Sequence, residues 1–140
     1  MSTVHIREAR QADLESVLAL YAAIEDSPAN VLTLEEAQAM RAQFARYPSY
    51  RLWVACDSAQ HGAVVGTYAL LVMHNLAHRG APSAIVEDVV VAAGQQGMGI
   101  GRQAFCLALI LVAELRAPVS RPHILLHAHP CRNKPLLDLF

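Results

Sequence analysis

The chain has 140 residues, enough for a single domain over 1–140 that buries roughly two-thirds of its unfolded surface. With 54% hydrophobic and 16% charged residues it lies outside the disordered class, and 11 Lys+Arg against 12 Asp+Glu leave no general field to attract nucleic acid or anionic lipid. Lys134 is its one lysine, so there is no polybasic tract, and Cys56, Cys106 and Cys131 make no disulfide framework, so a reducing, cytoplasmic setting is expected.

The first residues lack the basic and then apolar pattern of a signal peptide. The most apolar run, 104–115, is too short to span a bilayer, so no membrane partner is expected. Residues 3–8 predict a strand, with Val4 and Ile6 on one face and His5 and Arg7 on the other. Asp13 then stands where it would cap a helix whose apolar stripe is Leu14, Val17, Leu18, Tyr21 and Ile24, with Pro28 as its stop. Thr33-Leu34-Glu35-Glu36 reads as a capping box, so a second helix is expected to about Arg46, ended by Pro48.

Residues 51–56 alternate Leu52, Val54 and Cys56 against Arg51, Trp53 and Ala55, which predicts a strand. A turn over 57–62 leads into a longer strand, 63–73, giving an antiparallel hairpin with Gly66 at a bulge or a point of close packing. After a polar loop, 74–83, a third strand runs over 84–91. Gly94, Gly97, Gly99 and Gly101 separate it from a helix over 102–115 that is apolar on nearly every side. Pro118 and Pro122 hold a connector open, 123–127 predicts a short strand, and a polar, helical segment ends at Phe140.

Glycines between a strand and a helix permit positive φ and let a ligand approach the backbone without meeting a Cβ. The free amides and dipole of the helix start then make an anion site that needs no lysine, and Arg102 stands where it adds charge. Three other readings compete. A nucleotide P-loop requires a Gly-Lys-Ser/Thr end, which is absent. Residues 99–104 satisfy the dinucleotide pattern formally, but late in the chain and without an acidic ribose partner about 20 residues on. In the third, the glycines serve only a tight turn and close helix packing.

Ile85-Val86-Glu87-Asp88-Val89-Val90-Val91 followed by Gln96-Gly97-Met98-Gly99-Ile100-Gly101-Arg102 closely resembles the central motif of the GCN5-related N-acetyltransferase (GNAT) superfamily, with Gln96, Gly99 and Gly101 at the Gln/Arg-x-x-Gly-x-Gly/Ala positions. The opening Ile6-Arg7-Glu8-Ala9, with a helix from near Asp13, is similar to the start of that family, and the likeness covers about residues 4–115. It implies a mixed α/β fold, a mainly antiparallel sheet flanked by helices, C-terminally short. It also implies acetyl-CoA as co-substrate, lying between two splayed strands.

By that likeness the backbone of Val89 and Val91 holds pantetheine, and an amide near Val90 or Val91 polarises the thioester carbonyl. Gln96, Gly97, Met98, Gly99, Ile100, Gly101 and Arg102 surround the diphosphate, and Asn133 is a further cofactor contact. The implied reaction is acetyl transfer to a primary amine of a small molecule by direct attack on the thioester. Glu87 and Asp88 are the candidate bases; strand alternation puts only one in the cleft, and Glu87 is expected to share a face with Val89 and Val91. Tyr21, Glu25 and Asp26 are candidates for the amine pocket, Tyr21 being equally a core residue, and His74, with His78, either borders that pocket or faces solvent.

Leu139 and Phe140 stand where relatives carry Phe-Tyr, which removes a phenolic hydroxyl used to protonate the leaving thiolate. The chain also stops before the family's closing hairpin, so truncation, an altered frame, or a homodimer through the sheet edge or exchanged C-terminal elements are expectations. The alternative function is a catalytically impaired CoA-binding or protein-interaction domain. His127, His129 and Cys131, with His123, offer zinc-type ligands, but Pro130 and the lack of paired Cys motifs favour surface or packing roles, so no metal is expected.

Overall fold

The computed structural model describes residues 3–103, 106–107, 110 and 123–124. Strand β1 is Val4–Glu8, and helices α1 (Leu14–Ala22) and α2 (Leu34–Gln43) follow it. Then come β2 (Tyr50–Asp57), β3 (Ala63–Met73) and β4 (Ser83–Val91). Helix α3 opens at Ile100, and β5 is His123–Ile124. They form one sheet in the order β1-β2-β3-β4-β5, antiparallel from β1 to β4, with β5 parallel to β4 at Ser83 and Ala84. This is the mixed α/β architecture expected. Most of the expected helix over 102–115, the connector with Pro118 and Pro122, and the segment after residue 124, with Asn133, Leu139, Phe140 and the His127, His129 and Cys131 group, lie outside the described residues.

The start of α1 differs from the expectation for a physical reason. Asp13 does not cap α1; its carboxylate turns back, accepting the Arg10 amide at 2.6 Å and two bonds from the Arg7 guanidinium at 2.7 and 2.8 Å. The Arg7 bonds hold the Asp13 carboxyl below its ordinary range, against the opposing effect of burial. Because Arg7 is on β1, this pair ties the first strand to the first helix. Helix α1 ends at Ala22, well before Pro28, which instead opens a short 3-10 turn. Its inner face is Leu14, Val17 and Leu20, while Ile24, beyond the helix end, is exposed.

Helix α2 begins as the capping box predicts. The Thr33 hydroxyl accepts from the Glu36 amide at 3.3 Å, and Glu36 accepts from the Thr33 amide at 2.8 Å. It ends at Gln43, with a 3-10 turn, Phe44–Arg46, before Pro48.

One face of the sheet packs Leu52, Val54 and Cys56 against Leu14, Val17 and Ala9. The other gathers Tyr68, Leu70, Val72, Ala84 and Val86, with Trp53 and Val89 against them. Each buried Val or Leu contributes roughly 1.5–3 kcal/mol, so α1 is held by its apolar stripe more than by its cap. Ile100 joins Ala55, Val65 and Val91, seating the first turn of α3 on the sheet. Gly66 makes this possible, since a Cβ there would stand 3.2 Å from the Val90 carbonyl oxygen and 3.4 Å from Ile100.

A bulge in β4 overturns one expectation. Thr67 pairs with Val90 and Ala69 with Glu87, so Asp88 and Val89 together face Tyr68 alone. Thr67 and Ala69 share a face, and Glu87 therefore lines up with Val90 rather than with Val89 and Val91. Asp88 absorbs the extra residue at φ 52°, a left-handed conformation that Asp tolerates better than most residues.

Candidate functional site

Strand β4 carries two candidate sites, one at its bulge and one just past its end. After Val91 the Ala92 amide donates to Val65 O at 2.8 Å, and a 3-10 turn, Ala93–Gln95, follows. Gln96 at φ −66°, ψ 145° and Gly97 at φ 79° make the pattern of a type II turn, in which only glycine is comfortable at the third position. The Gln96 side-chain amide donates back to Val91 O at 3.1 Å and pins the turn to the strand. Gly99, also at φ 79°, precedes α3, whose first backbone bond runs from Gln103 N to Gly99 O at 3.0 Å.

A Cβ built on Gly97 meets nothing within 4 Å, and one on Gly99 meets only the Arg102 guanidinium at 3.9 Å. Close protein packing therefore does not explain these two glycines. The amides of Gly97 and Gly99 donate to no acceptor among the described residues, and Ile100, Gly101 and Arg102 carry free first-turn amides. The turn thus brings together open space, donors with no acceptor among the described residues and the positive end of a helix, with the Arg102 side chain exposed beside it. Gln95, Gln96, Gly97, Gly99, Ile100 and Gly101 line a small recess there with Val91.

The second site is a cavity of about 860 Å³ between α1, α2, the loop joining them and the sheet. Tyr21, Glu25 and Asp26 line it from α1 and the loop, and Asp88 and Val90 from β4. Tyr50 and Leu52 contribute from β2. Burial, then the charges of Asp88 and Glu87, push the Tyr50 hydroxyl up to about 12. Arg41 also lines the cavity, but its guanidinium donates to Ala9 O at 3.2 Å, lies 3.7 Å from Glu8 and sits over the Phe44 ring.

The glycine turn thus follows β4 directly, and the same strand walls the cavity that bears the carboxylates. The model of the acetyltransferase (GNAT) family matches residues 14–139. The chain belongs to the GNAT family. It is similar in structure to an Agrobacterium tumefaciens str. C58 protein assigned to the acetyltransferases, with 28% identity and a TM-score of 0.75 over 95% of this chain and 85% of that one. It is also similar to a transcriptional regulator from Bacillus halodurans C-125, at 25% identity and a TM-score of 0.70 over 93% and 85%. An acetyltransferase of Trypanosoma brucei shares the fold at 21% identity, with a TM-score of 0.69 over 89% and 82%. None of the curated proteins matches the chain.

In this GNAT chain the structure brings Tyr21, Glu25, Asp26 and Asp88 to one cavity and leaves His74 exposed and outside its lining. Glu87 is half-buried on the same sheet face as Val90; it stands outside the cavity lining, and its charge reaches Tyr50. Met98 is exposed at the tip of the turn. Tyr50 falls outside the strand that the sequence pattern predicts from Arg51. One more residue of the Leu52, Val54 alternation would have placed it on the cavity face. Among the described residues no group of three His, Cys, Asp or Glu is arranged for a metal, and no helix is long and apolar enough to cross a membrane.

Proposed function

We propose that the protein transfers the acetyl group of acetyl-CoA to the primary amine of a small molecule. The observation that carries this reading is that β4 leads from Asp88 and Val90 in the cavity wall into the glycine turn at its end. Acetyl-CoA supplies an activated acyl group, and the chain's residues fit its diphosphate: the amides of Gly97 and Gly99 and the first turn of α3, with the Arg102 cation beside them.

Asp88 faces the amine. Its charge attracts the ammonium form, and its carboxylate takes the proton directly or through a water, freeing the lone pair for attack. The C–N bond forms as the C–S bond breaks; of the two protons that the ammonium loses, one goes to the departing thiolate and one to solvent. The unpaired residue of the β4 bulge supports an amide donor toward the developing oxyanion, and the cavity supplies proximity.

The test is calorimetric titration with acetyl-CoA, followed by CoA release measured over an amine panel. Asn also tolerates positive φ, so Asp88→Asn keeps the bulge; it is expected to lower kcat/KM about 100-fold while acetyl-CoA affinity is unchanged. Loss in Glu87→Gln with full activity in Asp88→Asn would move the base to Glu87. Saturable acetyl-CoA binding with no turnover of any amine would leave a CoA-binding module, and no binding at all would overturn the reading.

A further inference from the structure

Resting on the acetyl-transfer reading, we infer that the acceptor is a primary amine carried on an alkyl or arylalkyl body, its ammonium group among the cavity carboxylates and its carbon frame along the cavity's apolar wall. Of the 18 residues lining the cavity, 13 are apolar or aromatic. The remainder include three carboxylates, Glu25, Asp26 and Asp88, against one cation, Arg41, whose guanidinium is engaged with Ala9 O and Glu8. The lining therefore asks for a ligand with one positive end and a large apolar remainder.

Size points the same way. About 860 Å³ falls within the range of roughly 300–1,000 Å³ that holds whole drug-sized molecules, far more than a short amine fills. Ile24, Leu32 and Met40 line this concave surface at 38%, 43% and 52% exposure, so apolar area stays in water until something covers it. A polyamine, though drawn by the three acids, would lay further charge along that wall, and an aminosugar would leave hydroxyls without partners there; both cover the apolar area less well than a carbon frame. At the exposed acidic rim Glu25 accepts from the Asn30 side chain at 3.4 Å, and the bulge sets the backbone of Asp88.

The experiment is a homologous series of n-alkylamines from propylamine to octylamine, with phenethylamine, spermidine and glucosamine, each assayed for CoA release with acetyl-CoA. Burial of each added methylene predicts kcat/KM rising about fourfold per carbon until the cavity is full. Phenethylamine is expected to exceed spermidine and glucosamine by at least about tenfold. A flat or falling series, or spermidine or glucosamine as the better substrate, overturns the inference.

If no amine is acetylated, the acetyl-transfer reading fails separately, and the same series is titrated by calorimetry into the CoA-loaded protein. Affinity that rises with chain length upholds the apolar-amine site without the reaction, and absence of binding by the long amines overturns it. Ile24 and Met40 are partly exposed, so the double variant Ile24→Ser, Met40→Ser keeps the fold. It is expected to reduce the preference for octylamine over propylamine by about tenfold, and an unchanged preference places the carbon frame elsewhere.

Discussion

The glycine turn and the cavity are built in opposite ways. The turn is contiguous: residues 95–102 adopt a type II turn, a second positive φ and a helix start, each dictated by glycine or by free helical amides. The cavity is assembled from residues spread between Leu14 and Val90, on two helices, a loop and two strands. Damage to the first is therefore local, whereas the second inherits the stability of the whole packing. The difference is one of range: a few adjacent residues set the turn, whereas distant segments must pack together to make the cavity.

The sharpest way to break the contrast is Gly99→Asp. A Cβ at Gly99 stands 3.9 Å from the Arg102 guanidinium, so the carboxylate pairs with that cation and its charge repels a diphosphate, while the positive φ adds a modest strain that Asp bears better than most residues. Calorimetry should show acetyl-CoA affinity falling at least about 100-fold, with a lowering of the melting temperature by a few degrees from the strained φ and the binding of amines to the cavity nearly unchanged. Retained affinity would place the diphosphate elsewhere.

Next in size is Asp13→Ala, which acts on the cavity's frame and not on the turn. It strips the partner from Arg7 and from the Arg10 amide, at a cost of about 2 kcal/mol in urea unfolding at neutral pH. The folded Asp13 carboxyl is held below its unfolded value of 3.8, so its contribution is complete above that value and is lost as pH falls through the lower, folded one. The gap between wild type and variant should narrow accordingly in acid; a gap independent of pH would deny the Arg7 pair its role.

The smallest effect joins the two regions. Gly66 lies under both the Val90 carbonyl, in the cavity strand, and Ile100, at the start of α3. Gly66→Ala should cost about 1 kcal/mol in stability through overpacking and weaken acetyl-CoA binding only severalfold. A neutral substitution would show that the strand and helix have room to separate.

Much of this was legible beforehand. The Thr33 capping box, the alternation of Leu52, Val54 and Cys56, and the four-glycine link all encode local geometry, and the structure contains them as expected. Two readings failed at points where local rules compete with tertiary ones. Asp13 has the right type and place for a cap, yet an arginine six residues earlier, on a neighbouring strand, offers a stronger charge-assisted pair. Strict alternation puts Glu87 with Val89 and Val91, whereas the extra residue at the bulge puts it on the face of Val90.

By itself, then, the sequence determined what depends on neighbours within a few positions: where helices start, which strands alternate, and that Gly97 and Gly99 take positive φ between strand and helix. Only the tertiary structure decided which β4 carboxylate looks into the cavity, that Tyr50 stands beside it, and that apolar side chains from α1, α2 and β2 enclose about 860 Å³ with acids at the edge. The reason is range: a turn's φ values are set by its own residues, whereas a bulge and a cavity are set by register and packing between segments far apart in the chain.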